Sequence, residues 1–243
     1  MSRVSEAARP NVLRRWAGGP PRPLLSPGFR RPAWILIVAC AVITAVLGAA
    51  FAGQARPDRL DRVIDDRMRS ALLGYSGLLR PVADWAPLVV IVAGVAGFVA
   101  FLLARRPRAA ALLAIALPGG LLAEQTLKPL VGRTLSGDGW SYPSGHTIGA
   151  FCLAVSVLVL LLGPHRPPRR PAVRALLAGA VLVIACLVPV AVVTLRMHYF
   201  TDTVGGAALA TALVLAAALL IDATGPSTRR RMLGKEHDRT DSA

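Results

Sequence analysis

The sequence predicts an all-α fold, a six-transmembrane-helix bundle with its active site at the extracytoplasmic ends of spans three to six. Three observations predict it. Apolar runs of about 20 residues recur along the chain, the length a helix needs to cross the bilayer core. Of the 243 residues, 54% are hydrophobic and 17% charged, with a mean hydropathy of +0.56, too little charge for a soluble domain. Most of the 28 Lys and Arg fall in the N-terminal segment, in two Arg-Pro loops and in the C-terminal segment. An even number of spans places all four on one side, the cytoplasmic one. The net charge of +15 therefore reads as a positive-inside pattern, and no nucleic-acid partner is expected.

Residues 1–33 are rich in Arg, Pro and Gly and read as a disordered basic cytoplasmic tail. The membrane domain is expected over 34–222, followed by a charged cytoplasmic tail over 223–243. The first apolar run, 34–53, ends in Ala50-Phe51-Ala52, which resembles a signal-peptide cleavage site. Its span length and long basic flank favour a retained anchor. Residues 54–83 interleave Asp58, Asp61, Asp65 and Asp66 with Arg59, Arg62, Arg67 and Arg69. Such alternation reads as a charged surface helix rather than a metal site. Leu60, Val63, Ile64 and Met68 fall at helical spacing and lay it along the interface.

The second span is expected over 85–103 and the third over 109–127, with Pro118-Gly-Gly120 as a kink or close-packing point. The fourth covers 147–162 and ends at His165-Arg-Pro-Pro-Arg-Arg170. The fifth covers 173–195, bent by Pro189, and the sixth 204–221. Cys40, Cys152 and Cys186 all lie in apolar runs, so no disulfide and no metal-ligand pair is implied.

Three polar segments interrupt this pattern, and the topology sends all three to one membrane face. They are Lys128 to Arg133, Ser141-Tyr-Pro-Ser-Gly-His146, and Thr194-Leu-Arg-Met-His-Tyr-Phe-Thr-Asp202. His198 and Asp202 are four apart, one face of a helix, so the carboxylate can hold one ring nitrogen and leave the other free as nucleophile or base. His146 can protonate a leaving group. Lys128, Arg133 and Arg196 are cations suited to a phosphoryl group. The Ser144 hydroxyl and the Gly145 N–H add donors for an oxyanion. The set points to phosphoryl transfer without a metal or other cofactor. Each residue alone has a plainer reading, as an interfacial histidine or a snorkelling cation. The combination, its order and its common face carry the argument.

These motifs resemble those of the type 2 phosphatidic acid phosphatase superfamily, which includes the vanadium haloperoxidases. That family carries Lys-x6-Arg-Pro, then Pro-Ser-Gly-His, then Ser-Arg-x5-His-x3-Asp. Lys128 matches the start of the first, Pro143-Ser144-Gly145-His146 the whole second, and His198-x3-Asp202 the end of the third, followed by Gly205-Gly206. The resemblance covers roughly residues 85–221. It implies that His198 attacks phosphorus to form a phosphohistidine, that Asp202 orients it, and that His146 protonates the leaving oxygen and then activates water.

Two positions depart from the pattern. The first-motif Arg and Pro fall at Leu135 and Ser136, and the third-motif Ser and Arg at Ala191 and Val192. Arg133 and Arg196 are expected to substitute, the latter one helical turn (about 5.4 Å) beyond Val192. Replacing either with Ala is expected to abolish most turnover and leave the fold intact. Glu124 precedes Lys128 by one turn, which reads as an ion pair fixing the lysine or as a proton relay or headgroup contact. Tyr142 and Asp138 are expected to border the site.

The resulting reading is a multi-pass plasma-membrane enzyme with both termini cytoplasmic, removing phosphate from a lipid phosphate or pyrophosphate in the outer leaflet. Polyprenyl pyrophosphate, polyprenyl phosphate-sugar, phosphatidylglycerol phosphate and phosphatidic acid all fit. A phosphotransferase is the alternative, separable by release of inorganic phosphate without an acceptor. A degenerate binding protein is the other, opposed by the retention of His146, His198 and Asp202. An oxidant-handling haloperoxidase has no use for six spans.

Overall fold

The computed structural model describes residues 23–135, 139–164 and 171–224, and its compact unit is Pro23–Ala223. The expectations made for residues 1–22, Asp138, 165–170 and 225–243 lie outside the described residues. Within them the helices are α1 (Arg30–Ala50), α2 (Arg59–Leu72), α3 (Ser76–Leu103), α4 (Pro107–Val131), α5 (Gly145–Leu162), α6 (Pro171–Thr194) and α7 (Phe200–Ala223), with 3-10 turns at Pro27–Phe29 and Leu73–Tyr75. Six helical segments, counting α2 and α3 as one, are long and apolar enough to cross a membrane. The protein is an all-helical bundle. Among the described residues its one β-type pairing is an isolated bridge, Thr134 to Trp140.

α7 is the post around which the others stand. It packs against α1, α4 and α5. Its sequence makes this close approach feasible, because small residues let helix backbones draw together where no hydrophobic effect drives them. A Cβ on Gly206 would lie 2.8 Å from the Ser144 carbonyl oxygen. Gly120 of the Pro-Gly-Gly stretch likewise sits against Cys152 and Ile148 of α5, each 2.9 Å from where a Cβ would be. The interior is apolar, with Leu112, Ile148, Cys152, Ala210, Val214 and Ala218 in one cluster. The outside is apolar too: Ile35 and Val38 of α1, Ile91 and Val92 of α3, and Leu176 and Ile184 of α6 are exposed. An apolar exterior over a bundle whose backbone bonds are satisfied within its helices is the arrangement lipid requires.

Several boundaries differ from expectation. α1 starts at Arg30, inside the segment read as a tail. Ahead of it Leu24 is 0% exposed and Leu25 4%. Their amides donate to the Asp222 carboxylate at 2.7 and 3.0 Å, so a buried acceptor 198 residues away orders this stretch. α3 begins at Ser76 rather than 85 because Arg80, Pro81 and Asp84 are carried inside the helix. α7 begins at Phe200, which places Asp202 in its first turn.

Candidate active site

The site is built at the N-terminal ends of α5 and α7. Ser144 caps α5: its backbone is extended and its Oγ accepts from the Thr147 amide at 3.5 Å and the Thr147 hydroxyl at 3.2 Å. The Ser144 side chain is buried and committed to this cap. The cap fixes where the helix starts, which holds His146 in its first turn and leaves the Gly145 amide among the N-terminal donors that lack an intrahelical partner. A Cβ on Gly145 would collide with the Glu124 carboxylate. Glu124 pairs with Lys128 at 2.6 Å, the ion pair their spacing implies.

The third motif is not a continuous helix. α6 ends in a Schellman-type turn: the Arg196 amide donates to the Val193 carbonyl at 3.1 Å and the Met197 amide to the Val192 carbonyl at 2.8 Å. Arg196 takes the left-handed position of that turn, φ +58°. Val192, where the family arginine would fall, is fully buried in a small apolar cluster with Ala83 and Ala191, against which Met197 packs. The turn ejects Arg196 to the surface and folds His198 back inside, 8% exposed. The expected one-face helical pairing of His198 with Asp202 is replaced by a turn-to-helix pairing.

That turn brings the two histidines together. The rings of His146 and His198 lie edge to face, 5.9 Å between centroids. His198 Nδ1 faces Asp202 Oδ2 at 3.8 Å, beyond hydrogen-bond length, and no partner within hydrogen-bonding distance meets it among the described residues. Asp202 is fully buried. Its Oδ2 accepts the Tyr199 amide at 3.1 Å and its Oδ1 accepts from Arg133 at 2.6 Å.

Arg133 stands elsewhere than expected. Its side chain is 0% exposed, clamped between Asp202 and Asp61 with a further bond to Thr201 Oγ1 at 2.7 Å. Its guanidinium lies over the rings of Phe51 and Tyr199, 4.1 and 4.5 Å from their centroids. Its donors thus serve carboxylates rather than an open pocket. The surface-helix reading of α2 also fails at Asp61, which is fully buried. Asp61 accepts the Thr201 amide at 2.9 Å, and Asp65, one turn on, accepts the Phe200 amide at 3.1 Å. Two carboxylates of one helix therefore cap the N-terminus of another, where amide donors and the helix dipole favour negative charge.

An open cleft of about 470 Å³ adjoins His198, lined by Arg62, Asp65, Asp66, Arg69, Leu135, Val193, Arg196 and Tyr199 among others. Leu135, the other position where the family has arginine, faces it. Arg62 and Arg69 were not singled out as site residues. Their seven-residue spacing on α2, two turns on one face, is the signal that marks them. Tyr142 does not border this cleft. It is fully buried and its hydroxyl donates to the Thr44 carbonyl at 2.6 Å, fastening the loop to α1. Among the described residues no three His, Cys, Asp or Glu side chains converge as a cation cage.

Residues 32–225 match the PAP2 superfamily. No curated protein matches the chain. Among solved structures it is similar to one described as the crystal structure of the first transmembrane PAP2 type phosphatidylglycerolphosphate phosphatase from Bacillus subtilis, with a TM-score of 0.59 and 20% identity, covering 78% of this chain and 98% of that one. At that identity the likeness is one of fold. The match over most of the chain, the six apolar helices and the shared bundle agree: this multi-pass membrane protein belongs to the PAP2 superfamily.

Proposed function

We propose that the protein is a lipid phosphatase, hydrolysing a lipid phosphate or pyrophosphate at the extracytoplasmic face through a phosphohistidine, without a metal. The observation that carries this reading is the pairing of His146 with His198, rings 5.9 Å apart, with His198 lining an arginine-rich cleft at the end of an apolar bundle. The lipid phosphatase of similar fold supports a substrate of that class, with phosphatidylglycerol phosphate, polyprenyl pyrophosphate and phosphatidic acid as members. Arg105, Arg106, Arg108 and Arg174, at the opposite ends of the helices, support an extracytoplasmic site.

In this mechanism His198 Nδ1 faces Asp202, which leaves Nε2 to attack phosphorus. The P–O bond to the leaving group breaks, and His146 gives that oxygen its proton. His146 then takes a proton from water, whose oxygen attacks the phosphohistidine. The P–N bond breaks and inorganic phosphate leaves. Lys128 and Arg196 counter the charge on the phosphoryl oxygens, with the Gly145 amide at the α5 N-terminus as a further donor. Arg133 acts through Asp202 as a positioning residue, and Asp61 acts through Arg133. The 3.8 Å gap between His198 and Asp202 fits this role, since catalytic hydrogen bonds commonly tighten only around substrate.

The test is phosphate release by purified protein in detergent, with EDTA present, over a panel of lipid phosphates and pyrophosphates. Release that persists in EDTA and falls at least about 1000-fold in His198→Ala is expected. Undiminished release by folded His198→Ala would sink the mechanism. Release that requires an added acceptor would make the protein a phosphotransferase.

A further inference from the structure

We propose that Arg62 and Arg69 of α2 form a second phosphate subsite beside His198, so that the preferred headgroup carries two phosphoryl units. The inference rests on the lipid phosphatase reading and narrows its substrate. The catalytic groups already assigned handle the scissile phosphoryl group: His198, His146, Lys128 and Arg196. Arg62 and Arg69 are additional, and they come from a helix that carries no part of the sequence motifs.

Three observations lead here. The two arginines line the same cleft as His198 and Arg196, about 10 Å apart along α2 by helical rise. Among the described residues neither has a carboxylate partner within ion-pairing distance. Asp65 and Asp66 also line the cleft; Asp65 is engaged with the Phe200 amide, and Asp61, next to Arg62, is buried against Arg133. Arg69 gives one N–H to the Thr194 carbonyl at 3.1 Å, which steadies the guanidinium against the end of α6 and leaves its other donors for the cleft. Finally, a cleft of about 470 Å³ lies in the range of small-molecule sites and far exceeds the few waters' volume of a lone phosphate. Planar guanidinium forks match phosphate oxygens. With one phosphoryl group held at the histidines, the arginines of α2 are placed to take the next one.

Two measurements on the full chain in detergent test this. The first compares phosphate release from a lipid monophosphate and a lipid diphosphate of the same chain, using wild type, Arg62→Gln and Arg62→Gln/Arg69→Gln. The double variant is expected to lose about 10-fold or more in kcat/KM on the diphosphate per arginine removed, mostly through KM, and less than about 3-fold on the monophosphate. An equal loss on both overturns the subsite. The second needs no turnover: inorganic pyrophosphate should raise the unfolding temperature of wild type more than orthophosphate does, and the double variant should lose that excess. Equal shifts by the two anions overturn the subsite. A wild type that shows the pyrophosphate excess yet releases phosphate from no lipid overturns the hydrolase reading and leaves the subsite standing.

Discussion

Arg133 and Asp202, 69 residues apart, are joined by a 2.6 Å bond between side chains that are both 0% exposed. Asp61 holds the other side of the same guanidinium. A buried cation between two buried carboxylates ties α2 and the loop after α4 to the first turn of α7, beneath His198. Removing one member leaves uncompensated charge in the interior, which costs about 3–5 kcal/mol. Arg133→Ala is therefore expected to unfold far more easily than wild type, contrary to the expectation from sequence that its fold survives. Thermal unfolding in detergent reads this directly. Arg133→Met with Asp61→Asn should recover much of the stability while turnover stays low, because Asp202 has lost its anchor. A single Arg133→Ala with an unchanged unfolding temperature would refute this account.

Arg196 gives the opposite signature. It is exposed and holds φ +58° at the C-terminal turn of α6, a conformation that disfavours a side chain by about 1 kcal/mol. Arg196→Gly is expected to raise stability by up to about that amount and to cut phosphate release at least about 10-fold. An unfolding temperature that rises while kcat/KM falls would separate a phosphate contact from a structural role. Unchanged turnover would remove Arg196 from the mechanism.

Much of this was legible in the sequence, for a local reason. Span-length apolar runs announce helices, and the Pro-Ser-Gly-His and His-x3-Asp spacings bring His146, His198 and Asp202 together once the helices are in place. What was not legible depends on distant partners. Alternating Asp and Arg on α2 is the pattern of a solvated face, and nothing near Asp61 in the chain shows that Thr201, 140 residues on, will bury it. The role of Arg133 is hidden for the same reason: it lies close after Lys128, two residues short of the family spacing, where a phosphate contact is the local reading, while its carboxylate partners lie 72 and 69 residues away. The ordering of Leu24 and Leu25 depends on Asp222 at the far end of the chain.

Gly206 tests the geometry that sets the histidines apart. The nearest atom to a new Cβ there is a backbone oxygen, Ser144 O at 2.8 Å, with Thr147 Cβ at 3.3 Å, and neither can rotate away. Gly206→Ala is expected to cost about 1–3 kcal/mol and to lower kcat more than it changes KM, since it pushes α5 and His146 away from α7. At Gly145 the obstacle is the end of a flexible side chain, Glu124. Gly145→Ala should cost less stability and act through the displaced Glu124–Lys128 pair. Equal stability losses at the two glycines would contradict this ordering.

Asp222 closes the opposite end of α7. Its carboxylate accepts the amides of Leu24 and Leu25 and lies 3.7 Å from Arg108 Nη1. Twenty helical residues, about 30 Å, separate it from Asp202. The two ends are therefore expected to respond independently. In Asp222→Ala, hydrogen exchange at the Leu24 and Leu25 amides should rise by about 10-fold or more, the consequence of losing bonds worth about 1–3 kcal/mol each to a charged acceptor. Asp222→Asn, which keeps one carbonyl acceptor, should fall between. Phosphate release should stay within about 2-fold of wild type in both, because no group at the histidines touches this end. A loss of turnover as large as that of Arg133→Ala would show that the anchoring of residues 24–25 is transmitted along α7 to the site.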